Sequence, residues 1–182
     1  VVARDETALG EAVDLVRGEG GEAEAFVCDV SKVEDIEATY RAVVDRFGKV
    51  GILVNNAGAH ASGPFEALDE AAWKQDIDLK LLAAVRLCRL AFPDMKARNW
   101  GRIINVLNIF AKPPKARTAP TAVTRAATMA MTKALAGEGA AYNVLVNGLV
   151  VGIIESDQLM RAWKAGGSKG EFADFLAAAA KR

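Results

Sequence analysis

Residues 51–60 read Gly51-Ile52-Leu53-Val54-Asn55-Asn56-Ala57-Gly58-Ala59-His60. An apolar run of strand length stops at two amides and a small-residue turn, and the turn leads to the chain's single histidine. A continuous rather than alternating apolar run is the pattern of a strand buried on both faces. The turn after it has the composition of a ligand-facing lip, because small residues let a backbone approach a flat molecule closely. Its amides could equally tie neighbouring strand ends together.

The same punctuation recurs on either side. Strands are expected at Val1–Ala3, Ala23–Cys28, Val50–Val54, Arg102–Leu107 and Val144–Val151. Helical patterns separate them. Thr7–Arg17 carries Leu9, Val13 and Val16 on one stripe and stops at Gly18-Glu19-Gly20-Gly21. Ser31 is placed to cap a helix over Val33–Phe47. Trp73–Arg98 is a long helical pattern that Pro93 should kink or break. Thr121–Gly137 is alanine-rich and helical, and helical stretches follow around Asp157–Lys164 and Glu171–Lys181. Alternating strands and helices predict an α/β fold, a Rossmann-like three-layer sandwich with a parallel sheet, as one domain over residues 1–182. In such sheets ligands bind beyond the carboxyl ends of the strands. Arg4, Asp29-Val30, Asn56-Ala57-Gly58, Asn108 and Gly152–Ser156 all fall there.

Composition excludes several partner classes. The 23 Lys+Arg balance 23 Asp+Glu, so neither nucleic acid nor an anionic membrane is expected. No apolar run approaches the roughly 20 residues that cross a bilayer, and no signal-peptide pattern opens the chain. Cys28 falls in a strand-like run and Cys88 in a helix-like one, which reads as two buried reduced thiols and points to the cytoplasm. No metal site is read.

Each strand-end turn has a chemical reading beside a plainer one. Arg4 could hold a phosphate with its bidentate fork or be a solvated surface arginine. Asp29 could accept hydrogen bonds from an adenine amino group or be a helix-entry acid. Ser156 could cap the next helix, bind a ligand, or both.

ILVNNAG at 52–58, CDVSKVEDI at 28–36, WGRIINV at 100–106 and NVLVNGLVVGIIESD at 143–157 together resemble the short-chain dehydrogenase/reductase family. The resemblance implies a Rossmann-type sheet and hydride transfer between NAD(P) and a small-molecule carbonyl or alcohol. It implies that Arg4 favours the 2′-phosphate of NADP over NAD, and that Asp29 and Val30 flank the adenine. It places Asn56, Ala57 and Gly58 at the ribose, and Gly152, Ile154 and Ser156 at the nicotinamide end. It also implies a homodimer or homotetramer packed through the helices around 73–98 and 121–137.

The family's chemistry uses a tyrosine acid, a lysine four residues later, a serine thirteen residues earlier and an asparagine on the preceding long helix. Here those positions are Thr121, Arg125, Asn108 and Lys80. Arg125 keeps a positive charge and donors for a ribose, and Asn108 keeps a donor for a carbonyl oxygen. Thr121 is the severe change: an alkyl hydroxyl is a far weaker acid than a phenol, whose pKa is about 10, and it is too short to reach the same atom. Tyr40 and Tyr142 lie elsewhere. His60 could serve as the acid or be an ordinary loop histidine. Lys80 could act as a charged partner in the site, or snorkel, or pair with Asp76. Lys112, Lys115 and Arg117, in a proline-containing loop, could attract an anionic substrate or be simply solvated.

The family's first strand and glycine-rich turn belong before Val1, and its last strand and helix after Arg182. The chain is therefore expected to be a fragment of a longer domain. If it truly starts at Val1, the strand ending at Arg4 and the strand ending at Asn55 sit across a gap, and NADP binding is in doubt. Three functions remain open: an oxidoreductase with a non-standard or impaired catalytic site, a cofactor-binding pseudoenzyme, and a structural or subunit-interface protein.

Overall fold

The computed structural model describes residues 1–167 and 170–181. Its elements run β1 (Val2–Ala3), α1 (Glu6–Gly18), β2 (Phe26–Val27), α2 (Val33–Phe47) and β3 (Ile52–Asn55). They continue with α3 (Glu70–Asp76), a π-helical turn (Ile77–Leu82), α4 (Ala83–Ala97), β4 (Gly101–Asn108), α5 (Thr121–Gly139), β5 (Val144–Val151), α6 (Asp157–Ala165) and α7 (Phe172–Lys181). The α/β class and the parallel strands are as the sequence predicts. All strand pairs are parallel.

The strands form two sheets, β1-β2 and β3-β4-β5. Among the described residues, β1 and β3 have no strand between them. A cleft of about 750 Å³ runs there, lined on one side by Val1 to Arg4 and on the other by Ile52 to Ala59. This is the gap the sequence led us to expect.

Burial explains the layering of the larger sheet. Ile103, Val144 and Val146 point to one face and pack with Cys88, Ala91, Phe92 and Met95 of α4 into the core, and Leu107 is buried as well. Met131, Leu135 and Ala136 of α5 close it from the side. The other face is open: Ile52 is 59% exposed, Val54 52% and Leu149 56%. The strand residues are apolar on both faces, as a doubly covered sheet requires, but only one face has helices against it among the described residues.

Three local expectations are corrected. The strand over Ala23–Cys28 shrinks to Phe26–Val27, because only those two residues pair with β1. Ser31 does not cap α2. Lys32 holds the cap position without a side-chain bond, while the Ser31 hydroxyl donates to Asp29 at 2.7 Å. The long helix passes through Pro93 to Ala97, and its irregularity falls earlier, at the π turn that carries Lys80.

A buried polar ladder ties β3, β4 and α5 together. Asn55 Nδ2 donates to Asn105 Oδ1 at 2.8 Å, and Asn105 Nδ2 donates to Thr132 Oγ1 at 2.8 Å. Thr132 passes its own proton to the Thr128 carbonyl at 2.7 Å. Asn55 and Asn105 face each other in the parallel register, so the amides do tie neighbouring strands. Replacing Asn105 by alanine leaves Asn55 Nδ2 with only the Cys88 sulfur at 3.5 Å, and the Thr132 lone pairs without their partner, in a dry interior. The expected cost is about 2–3 kcal/mol, measured as a lower urea midpoint with unchanged slope.

Candidate active site

The loop after β3 is fastened to the start of α5 by one side chain. Thr121 Oγ1 donates to the Ala61 carbonyl at 2.7 Å and accepts from the Ala61 N–H at 3.2 Å. An antiparallel bridge between Ser62 and Pro120 adds to this seam. Thr121 opens a buried face of α5 that continues through Thr124, Arg125, Thr128 and Thr132. Helical spacing puts these five side chains on one stripe.

Lys80 reaches the same point from the π turn. It is 3% exposed. Its ammonium donates to Asp76 Oδ1 and, at 2.6 Å, to Thr121 Oγ1. The other oxygen of Asp76 accepts the Thr124 hydroxyl proton at 2.7 Å. The pairing of Lys80 with Asp76 was one of the alternatives open from the sequence, and Asp76 itself is 3% exposed. Burial pushes the Lys80 pKa down. The Asp76 carboxylate opposes that, and the Arg125 charge reinforces it.

Arg125 lies one turn after Thr121, is 9% exposed, and has its pKa lowered by burial. Its Nη2 stands 2.5 Å from the point a Gly58 Cβ would occupy, and Lys80 Cε stands 3.8 Å from it. The Asn56-Ala57-Gly58 turn, Lys80 and Arg125 are thus one cluster. His60 continues the loop, its ring nitrogen Nε2 2.6 Å from Ser62 Oγ. Its pKa is lowered, first by desolvation and then by Lys80, with Asp76 opposing.

Arg4, Asp29, Val30, Asn56, Ala57, Gly58 and Lys80 line the cleft between the two sheets. Hydrogen bonds from the Ser31 hydroxyl and amide hold the Asp29 carboxyl below its usual range. The turns after β1, β2 and β3 thus face one space. Gly58 is the one glycine lining it, so no glycine-rich turn for a pyrophosphate is among the described residues there.

The other candidates lie apart from this cluster. Gly152, Ile154 and Ser156 follow β5 and do not line the cleft. Ile154 is 60% exposed, and Ser156 accepts from Leu159 N–H at 3.4 Å, a capping contact for α6. Asn108 ends β4 with its Oδ1 buried and unpaired. Lys112, Lys115 and Arg117 are exposed, with Lys115 6.0 Å from the Phe110 ring centre. Tyr40 packs against the core and also lines the cleft from α2, and Tyr142 lies under the Lys96 ammonium. The Ala61 backbone was not found from the sequence, because a main-chain partner leaves no signal in residue type. The threonine stripe did leave one, in its i, i+3, i+4 spacing.

The family description "short chain dehydrogenase" matches residues 1–166. L-fucose dehydrogenase of Oryctolagus cuniculus is 38% identical over 123 residues, which cover 66% of this chain and 42% of that protein. The chain spans between 42% and 62% of the length of the curated relatives compared with it. Among solved structures, L-sorbose reductase from Gluconobacter frateurii, complexed with NADPH and L-sorbose, aligns with a TM-score of 0.89 at 32% identity, covering 96% of this chain and 67% of that one. An NADPH-bound short chain oxidoreductase from Pseudomonas aeruginosa PAO1, described as containing an atypical catalytic center, aligns with a TM-score of 0.82 at 30% identity, covering 91% and 65%.

The single histidine gives a direct check on this electrostatic picture. Its imidazole proton resonances should titrate with a midpoint below the ordinary 6.5. Folding therefore favours the neutral ring, and the stability this contributes is present above pH 6.5 and lost as pH falls through the lowered midpoint. A midpoint at or above 6.5 by NMR would contradict the placement of His60 beside Lys80.

Proposed function

The chain belongs to the short-chain dehydrogenase family, and on that premise we propose that it is an oxidoreductase of a small carbonyl or alcohol substrate that holds NADP and delivers a proton poorly. The carrying observation is the Thr121 hydroxyl. Its one proton goes to the Ala61 carbonyl, and its lone pairs face the Ala61 N–H and Lys80. A hydroxyl so engaged has nothing to donate to a substrate oxygen, and it is far weaker than a phenol in any case.

The cofactor side is better preserved in kind. Arg4 suits the 2′-phosphate of NADP, Asp29 and Val30 the adenine, and Asn56, Ala57 and Gly58 with Arg125 the ribose next to the reacting ring. Gly152, Ile154 and Ser156 belong to the nicotinamide end by resemblance. When bound, the dinucleotide supplies or accepts the hydride. Asn108 can orient a substrate oxygen through its amide. The remaining proton source is His60, whose lowered pKa keeps it neutral at pH 7 and makes its charged, donating form scarce there. The NADPH in both aligned structures, and the atypical centre described for one of them, support a nicotinamide cofactor beside a non-standard site. A cytoplasmic homodimer or homotetramer packed through α3–α4 and α5 belongs to the same reading. No described helix is long and apolar enough to cross a membrane.

The test is a fluorescence titration with NADPH and NADH followed by a carbonyl-substrate screen. NADPH should bind more tightly than NADH, and Arg4→Ala should remove most of that preference. Turnover at pH 8 should lie about 10²–10⁴-fold below that of a tyrosine-bearing relative assayed beside it, the usual worth of a positioned general acid. It should climb as pH falls toward 6, and His60→Ala should flatten that climb. Rapid, pH-independent turnover would sink the proposal. NADPH binding with no turnover under any condition would make the protein a cofactor-binding pseudoenzyme, and binding of neither dinucleotide to a cooperatively folding sample would leave a structural role.

A further inference from the structure

Two acid–lysine pairs four residues apart lie on the stretch from α3 into the π turn, and burial separates them. Lys74 and Asp78 form a surface pair, with Lys74 exposed. Asp76 and Lys80 form a buried one, each residue 3% exposed. A solvated pair contributes little to stability. A buried pair needs a reason, because taking both charges out of water commonly costs more than their attraction returns. Among the described residues Asp76 is the one buried carboxylate, and it shares its space with two buried cations, Lys80 and Arg125. Each element packed round it contributes a charge or a hydroxyl. From the π turn, Lys80 takes one carboxylate oxygen. From α5, the Thr124 hydroxyl donates to the other at 2.7 Å, and Arg125 interacts with the carboxylate through space. From the loop after β3, His60 feels both Asp76 and Lys80. Asp78, the next carboxylate along, is engaged by Lys74 and Arg86.

A buried ammonium beside a second cation is the setting in which a lysine gives up its proton. We propose that Asp76 is a positioning residue of this site, holding Lys80 in place as an ammonium beside the Gly58 turn, so that a positive charge lies at the cleft and next to His60. One carboxylate oxygen binds the ammonium and the other is fixed by Thr124, so the carboxylate is held from both sides. The ammonium's second bond goes to Thr121 Oγ1 at 2.6 Å, and Thr121 fastens the loop that carries His60. Lys80 Cε stands 3.8 Å from the point a Gly58 Cβ would occupy, and Lys80 lines the cleft. Asp76 itself does not line it, so it acts through Lys80. The charge has a use in the function proposed above: a nearby cation makes a protonated imidazole a stronger acid, and so makes His60 a readier donor. That consequence rests on the proposed reaction, whereas the hold on Lys80 does not.

The charge on Lys80 is followed by NMR through its Cε resonance in lysine-labelled protein, assigned by its loss in Lys80→Met. The wild type should show the charged form at pH 7. Asp76→Asn keeps the size of the side chain and an oxygen that can accept a hydrogen bond, but removes the charge. It should lower the proton affinity of Lys80 by about tenfold to a thousandfold, the range for losing an opposite charge in contact. A purely structural Asp76 would leave that titration where it is. Lys80→Met should raise the His60 midpoint, because the lysine charge that lowers it is gone. If Asp76→Asn does not fold, the double variant Asp76→Asn/Lys80→Met should fold, since it leaves no lysine without its counterion. The proposal is overturned by a neutral Lys80 in the wild type at pH 7, or by an unshifted Lys80 titration in Asp76→Asn. An unmoved His60 midpoint in Lys80→Met overturns it too, as does a double variant that fails to fold where the single one fails. None of these measurements needs cofactor or substrate, so absent NADPH binding or turnover counts against the proposed function alone.

Discussion

Thr121 Oγ1 sits where three parts of the chain meet: the loop after β3 through Ala61, the π turn through Lys80, and the first turn of α5 on which the hydroxyl is carried. A hydroxyl offers one proton and two lone pairs, and here all three are engaged inside the protein. The contact fixes the Gly58 turn against α5 and so brings Arg125 beneath it. It also sets the limit on the chemistry. On the proposed function this is the position where a proton donor would be sought, and here its hydroxyl fastens the loop instead.

The buried ion pair beside it depends on that arrangement. Taking an ammonium and a carboxylate out of water costs several kcal/mol per ion unless hydrogen bonds complete the shell. Thr121 and Thr124 provide them, one on Lys80 and one on Asp76. The π turn matters because it is where the long helix carries Lys80 inward. Such single-turn irregularities inside helices are often found at functional sites. Among the described residues Arg125 has no comparable support, so two neighbouring cations are held in unlike ways.

The two sheets show how local pairing and global architecture separate. Within the larger sheet, the register of Asn55 against Asn105 allows amides to bond across strands and onward to Thr132, which satisfies both amide Nδ2 groups in a dry core while Asn55 Oδ1 stays unpaired. Between β1 and β3 there is a cleft instead of a ladder, and Arg4, Asp29 and the Asn56–Gly58 turn open onto it. A site at the carboxyl ends of parallel strands is thus laid out by strand direction alone, even where two strands do not touch.

The sequence by itself determined the α/β class, the order of strands and helices, and the turns that face the ligand side, because apolar runs, glycine stops and strand-end residues act locally. By resemblance it also drew attention to Lys80, Asn108, Thr121 and Arg125, since residue type is legible position by position. Tertiary structure alone decided what those residues do. Lys80 could have snorkelled outward or turned in; packing of the π turn against α5 turned it in and paired it with Asp76. Thr121 read as a short, weak acid, but its engagement by a backbone carbonyl and amide from residue 61 has no trace in composition. The packing of the Arg125 guanidinium against Gly58 likewise follows from distances between elements far apart in the chain, and charge balance in a buried space is a property of the assembled fold.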